Sequence, residues 1–534
     1  MTRELGDEGV LLDLPGGYRA AHELARRVAG AREVVPGAAT LGVIGGDRGE
    51  LEELEAAALA GRLAAAPSRS SGTRVTHEIP VVLDGEDLPE LDRLGLGAGA
   101  VARLLAGAEL EVAFLGFMPG FAYLAGLPPE LARLSRRPVP RTAVPAGSLA
   151  LAGGYAGIYP SASPGGWNLL GRTAFRAFDP DRPPYATLSP GDRVRFLPVE
   201  DVPPLTQARR AALEGEHLEV VDPGPQLLVE DLGRQGAGHL GVPRAGAMNP
   251  CWLAVANLAV GNAPDAPGLE LAGAARLRTR RSLLLALAGD AELRVGGTTM
   301  PRGIVAAAGA GQMVEVGPVR RGARAVLAVA GGVRADRRFA SAAGDAVSGL
   351  PPGPLRAGDI LDVGAAPARS RRSFELPAAA GGGGGAVCLR AVAGPDLEPG
   401  RAAASLEGLF EVDPRSDRTG IRLRRPASAE QQTPRAADAH GGGGEVPSHA
   451  VVPGCVQLPP GGNPVVLGPD CGPVGGYVVA ATVVSADLWR LGTLEPGQLV
   501  GFELVSLDEA AAARRQLARV VAASVQGWYP TLTA

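Results

Sequence analysis

The chain has 534 residues, long enough for about two to four domains with real cores. Its 77 glycines and 47 prolines, set against 46% hydrophobic residues, point to a turn-rich β protein and away from a helical bundle or a disordered chain. Net charge is −4 and every basic residue is arginine, which excludes a lysine-bearing phosphate loop, a Schiff-base lysine and a biotinylated lysine, and leaves no basis for a nucleic-acid or polybasic membrane partner.

From the N-terminus, AAHELARRVAGA and GELEELEAAALAGRLAAA within 17–66 carry amphipathic helical spacing, with TLGVIGG between them as a short strand. HEIPVVLDGEDLPEL adds a strand, a turn and a helix start. GLGAGA (95–100) is a poor dinucleotide fingerprint, because its context is helical. EVAFLGFMPGFAYLAGLP, VPAGSLALAGGYAGIYP and GDRVRFLPV then read as short strands punctuated by Gly and Pro. TQARRAALEGEHLEV (206–220) is polar and linker-like. NPCWLAVANLAVG (249–261) predicts a helix with Asn249 as N-cap, Pro250 at the first position and Gly261 at the stop. Five glycines at 381–385 and four at 441–444 read as flexible connections. Ser506, with Glu509 three residues on, opens a closing helix.

These shifts divide the chain into a small α/β subdomain (1–110), a barrel (111–205), a linker (206–216), a β-rich half (217–365), a glycine-rich linker (366–386) and a second half with a C-terminal helix (387–534). PGDRVRF (190–196), AGQMVEV (310–316), AGDILDV (357–363) and EPGQLVGF (495–502) each read as a turn followed by an alternating strand, an echo that suggests related barrel-like units. Cys251, Cys388, Cys455 and Cys471 form no C-x-x-C pair, and no His spacing suits zinc. The first residues lack the apolar core of a signal peptide and no run of ~20 apolar residues occurs, so the expected location is the cytoplasm. Without a G-x-S-x-G elbow, a serine hydrolase is disfavoured.

LGFMPGFAYLAGLP (115–128) and VPRTAVPAGSLALAGGYAGIYPSASPGGWNLLGRT (139–173) resemble the allophanate-hydrolase subunit 1 family, which includes the B-type subunit of bacterial 5-oxoprolinase. VEDLGRQGAGHLGVPRAGAMNP (229–250), SDRTGIRL (416–423) and VVPGCVQLPPGGNPVVLGPDCGPVGGY (451–477) resemble the subunit 2 family, which includes the C-type subunit of the same enzyme. The resemblance implies a natural fusion of the two. Its fold would be mainly β with some α, with tandem cyclophilin-like β-barrel domains beside the small N-terminal α/β subdomain. It also implies ATP-dependent opening of 5-oxo-L-proline to L-glutamate with a separate A-type 5-oxoprolinase protein, with ATP bound alongside or by that partner. Two alternatives follow from the same resemblance. One is biotin-dependent carboxyl transfer to a urea- or amide-type acceptor; the other is a regulatory protein that inhibits a sensor kinase by contact. A homo-oligomer stays open.

5-Oxoproline is a lactam and biotin a cyclic urea, so both chemistries place negative charge on the oxygen of an N–C=O group. Pre-aimed N–H donors stabilise that charge. Gly165, Gly166 and Trp167 with Arg172, and Gly475, Gly476 and Tyr477, suit the task or are simply tight turns with a packed aromatic. Phe117, Pro119, Gly120 and Phe121 would wall a flat ring, or else face the core. As catalytic candidates, Asp231 with Arg234 and Asp417 with Arg418 would orient substrate or pass a proton, or else pair to fix loops; His239 is an acid/base candidate or a structural histidine. His22, His77, His217 and His440 receive no role, and Met248, Trp252, Cys455 and Cys471 read as core residues. The chain departs from the family pattern at Leu105, where a His is usual, at Tyr155 (Gln), Asn249 (an acid) and His449 (Glu), and around Val474 and Val478 in the glycine turn. The glycine-rich loops of both parts are expected to converge on one cleft.

Overall fold

The computed structural model describes residues 3–14, 16–25, 28, 30–45, 53, 56, 74–92, 95–137, 139, 141–205, 211–370, 373–376, 385–426, 445–460, 462–524 and 529–530. Four antiparallel strands open the chain in the order Arg3–Glu4, Gly9–Asp13, Thr40–Ile44, Glu33–Pro36. Helix Gly17–Ala25 lays Ala21 and Leu24 on this sheet against Val10, Leu12, Leu41 and Val43. Of the helix expected in the 49–66 stretch only Glu53 and Ala56 are described, both helical.

The first barrel has seven strands, in the order Asn168–Arg172, Ser148–Ala152, Tyr155–Ile158, Ala122–Ala125, Leu110–Leu115, Arg193–Pro198, Thr76–Val81. A bridge from Val82 to Arg172 joins its two edges. This barrel therefore starts well before residue 111, inside the segment assigned by sequence to the small subdomain. The physical reason is alternation: in Thr76–Val81 only Ile79 and Val81 are buried, and their side chains fill the barrel with Val101 and Leu105 of helix Ala98–Ala106.

The middle unit packs a seven-stranded sheet on a five-stranded one around a core of Leu, Val and Ala, with Leu227, Leu269, Leu285 and Leu327 at its centre. Helix Pro250–Ala259 covers it; Asn249 Oδ1 caps the helix by accepting the Trp252 N–H at 2.9 Å. In the last unit, Val387–Ala393 pairs parallel to Leu499–Leu504 and antiparallel to Val474–Val483, closing a seven-stranded barrel. The first barrel makes the equivalent parallel pair, Thr76–Val81 with Arg193–Pro198. The four echoed segments all form their strands, at Arg193–Pro198, Met313–Val316, Ile360–Val363 and Leu499–Leu504. Helix Leu507–Ala523 closes the chain behind a reciprocal Ser506–Glu509 capping box.

Two expected linkers are partly structured. Residues 206–210 and 377–384 lie outside the described residues, as do His440 and the glycines at 441–444. But Glu214 bridges Ile360, Arg369–Ser370 pairs with Tyr529–Pro530, and Phe374 is buried beside helix Pro250–Ala259. The fold is the tandem barrel architecture with a small N-terminal α/β subdomain, mainly β with some α. No helix among the described residues is long and apolar enough to cross a membrane.

The N-terminal units and the last barrel share one interior. Leu5, Ile44, Phe114, Phe121, Tyr159 and Trp167 pack in a single cluster with Ala450, Cys455, Cys471, Val474 and Val479. The backbone joins them as well: the Ala38 N–H donates to Ser448 O at 2.8 Å. Phe121 sits at the heart, edge-on to Phe117, Tyr123, Tyr159 and Trp167 with centroids 5.2–5.3 Å away. Phe121→Ala should therefore cost about 3–5 kcal/mol and lower both parts in one transition, as read by urea unfolding. A cost below about 1 kcal/mol, or a second transition that ignores the substitution, would contradict a common core.

Candidate functional site

The segment Gly116–Phe121 lies where the first barrel, the middle unit and the last barrel meet. Its Phe117 has φ 62°, a left-handed conformation that costs a non-glycine residue of order 1 kcal/mol. It is held there by rings of Phe121 and Tyr159 at 5.3 and 6.0 Å. The Gly120 N–H donates to Leu240 O of the middle unit at 2.9 Å. Gly241 and Gly472 must be glycine: a Cβ at the first would strike Met118 O, and at the second Phe117 O. The glycine-rich loops of both parts do converge, but by direct packing of backbone on backbone.

That packing decides where the sequence candidates lie. Pro119, Gly120, Phe121 and Trp167 are buried, so the expected wall for a ligand ring is occupied by the protein's own rings. Gly165 lies under the Tyr159 ring, and Gly166 O accepts the Arg137 N–H at 2.7 Å. Gly475 faces the Gln457 side chain. Gly476 O accepts from Arg136 Nη1 at 3.2 Å, and the same guanidinium lies 5.8 Å from the centre of the Tyr477 ring. Arg172 is elsewhere, at the seam of the first barrel, paired with Asp84 at 2.9 Å and donating to Val202 O at 2.6 Å.

The two expected Asp–Arg pairs do not form. Asp231 accepts from Gly233 N, Ser341 Oγ and Ala342 N at 2.7–2.8 Å and braces its own loop. Arg234 is wholly buried with Asp345 at 2.6 Å and Ala343 O as partners. Asp417 is exposed and caps a turn through Thr419 N and Gly420 N. Arg418 turns inward instead, bidentate to Asp470 at 2.8 and 2.9 Å, with Glu270 on Nη1 and Gly246 O on Nη2 at 2.8 Å. Its Nη2 also lies 3.0 Å from Glu230 Oε1, out of line for a hydrogen bond, so neither Glu230 oxygen has a hydrogen-bond partner among the described residues. Arg324 approaches Glu270 at 3.7 Å. Adjacent residues diverge here because a carboxylate that caps an exposed turn leaves its neighbour aimed inward. Glu230, Glu270 and Asp470 escaped sequence reasoning; the signal available was a glutamate inside the apolar runs QLLVE and GLELA.

Burial dominates the titration of this cluster. It pushes Glu230 well above the ordinary carboxylate range and Asp470 up to about 6, with Arg418 opposing in both cases. Burial works against the Arg418 charge too, but the surrounding carboxylates outweigh it and hold its pKa above the ordinary value. His239 is on a short surface turn, Gly238–Leu240, where crowding by protein lowers its pKa. The family departures have structural contacts: Leu105 is in the first barrel's core, Tyr155 packs edge-on to Phe114 and Tyr123, Asn249 caps a helix, and His449 Nε2 bonds Asp396 at 3.0 Å.

Beside this junction is an open cleft of about 560 Å³, counting the part that reaches solvent. Arg32, Glu33 and Ile44 come from the N-terminal sheet, Gln235 and Arg244 from the middle unit, and Val451 from the last barrel. None of the sequence-selected residues lines it. Of these, Arg234 flanks it, and Gly241 and Gly472, which the sequence reading did not single out, hold its walls in place.

The carboxyltransferase domain model for subdomains C and D matches residues 4–188, and that for subdomains A and B matches residues 240–504. The C-type subunit of 5-oxoprolinase from Escherichia coli (strain K12) is 31% identical over 310 residues, covering 57% of this chain and 96% of that protein. The B-type subunit from Escherichia coli O157:H7 is 46% identical over 128 residues, 23% of this chain, and the match spans 58% of that relative's length. The crystal structure of TTHA0988 superposes with a TM-score of 0.79 at 36% identity, over 94% of this chain and 100% of the other.

Removing Arg418 would strand three buried carboxylates, so Arg418→Ala should cost about 3–5 kcal/mol in urea unfolding. Glu230 behaves differently. With its folded pKa raised, it contributes stability below the ordinary carboxylate value and loses it as pH rises through the folded value. Glu230→Gln keeps the neutral shape at every pH. Its melting temperature relative to the parent should therefore rise between pH 5 and pH 8, roughly the span above an unfolded glutamate's pKa; a difference that does not change with pH would refute this.

Proposed function

The chain belongs to the carboxyltransferase-domain family, and from that premise we propose that it serves as a fused component of a 5-oxoprolinase, uniting the B-type and C-type parts and opening 5-oxo-L-proline to L-glutamate with a separate A-type protein. The observation that carries this reading is the common interior of Phe121, Tyr159, Trp167, Ala450 and Val474. A core of this kind, once formed, makes the B-like and C-like parts one working body. Relatives of both parts bear the name of the same enzyme.

Hydrolysis of the lactam adds water across one C–N bond: the carbonyl carbon becomes a carboxylate and the nitrogen an amine. Charge grows on the carbonyl oxygen in between, and N–H donors fixed before the reaction stabilise it. The junction supplies a rigid frame for such donors, because its loops are pinned by backbone hydrogen bonds between units.

The cleft does not suit the triphosphate of ATP. There is no lysine in the chain, Arg32 is committed to Glu8 at 2.9 Å, and Arg244, in the same wall as the Glu33 carboxyl, is too little positive charge for a triphosphate. In this reading the nucleotide belongs to the A-type partner. A second reading is favoured by the family itself: carboxyl transfer to a urea- or amide-type acceptor, with biotin carried on another protein.

The test is reconstitution. The purified chain with an A-type 5-oxoprolinase protein and ATP should release glutamate from 5-oxo-L-proline, and neither protein alone should. No glutamate from the mixture, together with decarboxylation of free carboxybiotin by this chain, would replace the first reading with the second.

A further inference from the structure

The cleft at the junction contains one guanidinium with no contact partner among the described residues, that of Arg244, which Glu8 and Glu33 favour only from a distance. Arg32 is paired with Glu8 at 2.9 Å, and the Glu33 carboxyl accepts the Gly238 N–H. Arg244 is partly buried in the same wall, yet its guanidinium makes no hydrogen bond or ion pair with any described residue. A desolvated guanidinium without a partner is costly, and such a cost persists where a ligand settles it.

The position of Arg244 is imposed from both sides. Its carbonyl accepts the Arg234 N–H at 2.6 Å, and the next N–H, of Ala245, donates to Pro469 O at 2.8 Å. Ala245 has φ 52°, a left-handed conformation that alanine adopts only under constraint. One residue further on, Gly246 O is held by buried Arg418, and the Met248 N–H donates to Glu270 at 2.7 Å. Thus the buried charge cluster aims the loop that carries the unpaired arginine.

The walls select the ligand. Ile44, Val242, Val451 and Pro473 offer apolar surface for a carbon body. A single uncommitted guanidinium matches one carboxylate through two parallel N–H···O bonds. A dianion such as phosphate would meet Glu33 without a second free cation.

We infer that this cleft is a binding site for a small monocarboxylate with an apolar ring or chain, its carboxylate seated on Arg244. 5-Oxoproline has this shape; that particular occupant rests on the function proposed above, whereas the carboxylate site does not. Because its lining comes from the N-terminal sheet, the middle unit and the last barrel, the site exists only where the B-like and C-like parts are joined.

Calorimetric titration of the whole chain tests this with four probes: 5-oxo-L-proline, cyclopentanecarboxylate, 2-pyrrolidone and inorganic phosphate. The two carboxylates should bind at least about tenfold more tightly than the other two. Arg244→Gln should weaken both carboxylates by about tenfold or more, with Arg244→Lys in between, and should leave the melting temperature unchanged or raised. No binding of either carboxylate at about 10 mM, equal binding of phosphate or pyrrolidone, an unchanged affinity in Arg244→Gln, or a melting temperature several degrees lower would each overturn the inference. Arg244-dependent binding of cyclopentanecarboxylate without glutamate release in the reconstituted mixture would uphold the site and reject the 5-oxoprolinase reading. Glutamate release indifferent to Arg244→Gln would do the reverse.

Discussion

The aromatic interior around Phe121 is the constraint from which the rest follows. A third of the chain's phenylalanine, tyrosine and tryptophan side chains gather there, in a protein with only 4% aromatic residues. Aromatic residues bury more apolar area than any others, so a chain this poor in them gains most by concentrating them at one place. That place is the seam between the N-terminal units and the last barrel. Burying it holds Gly116–Phe121 in a strained path, brings the carbonyls of Phe117 and Met118 against Gly472 and Gly241, and leaves the cleft alongside as the space the packing does not fill.

The second element of order is electrostatic. Arg418 gathers carboxylates from strands Gln226–Glu230 and Gly268–Ala272 and from the loop at Asp470, so it ties the middle unit to the last barrel. The attraction must exceed the desolvation of every charge involved, and Glu230 marks where it falls short: a carboxyl with no hydrogen bond among the described residues, better accommodated with its proton on. A hydrophobic cluster of the same volume would stabilise as well. The charged one also has directional contacts, and two of these, to Gly246 O and the Met248 N–H, set the loop that leads to Arg244. Stability and the shape of the candidate site are thus coupled through one arginine.

Most of the local structure was legible. The Ser506 capping box, the Asn249 cap and the four turn-and-strand echoes depend on residues three or four apart, and these formed as read. The composite motifs correctly indicated two families joined in one chain. The candidate site was legible only as a region. Motif loops were expected to face a ligand, and many face one another: Trp167 packs on Phe121, and Gly476 serves Arg136. The domain boundary near 110 misplaced Thr76–Val81, because a strand that pairs in parallel with Arg193–Pro198 has its partner more than a hundred residues away.

A lysine-free, turn-rich β protein built from repeated units is written in the order of residues alone, since composition, glycine turns and two-residue alternation act over short stretches of chain. Which charges are satisfied emerges from the packed molecule. Asp231 and Arg234 are neighbours that do not pair, while Arg418 and Glu230 are distant residues that meet, and Arg244 is left over. Partners for a charge are chosen by which strands and loops converge in space, and that convergence depends on the whole packed interior.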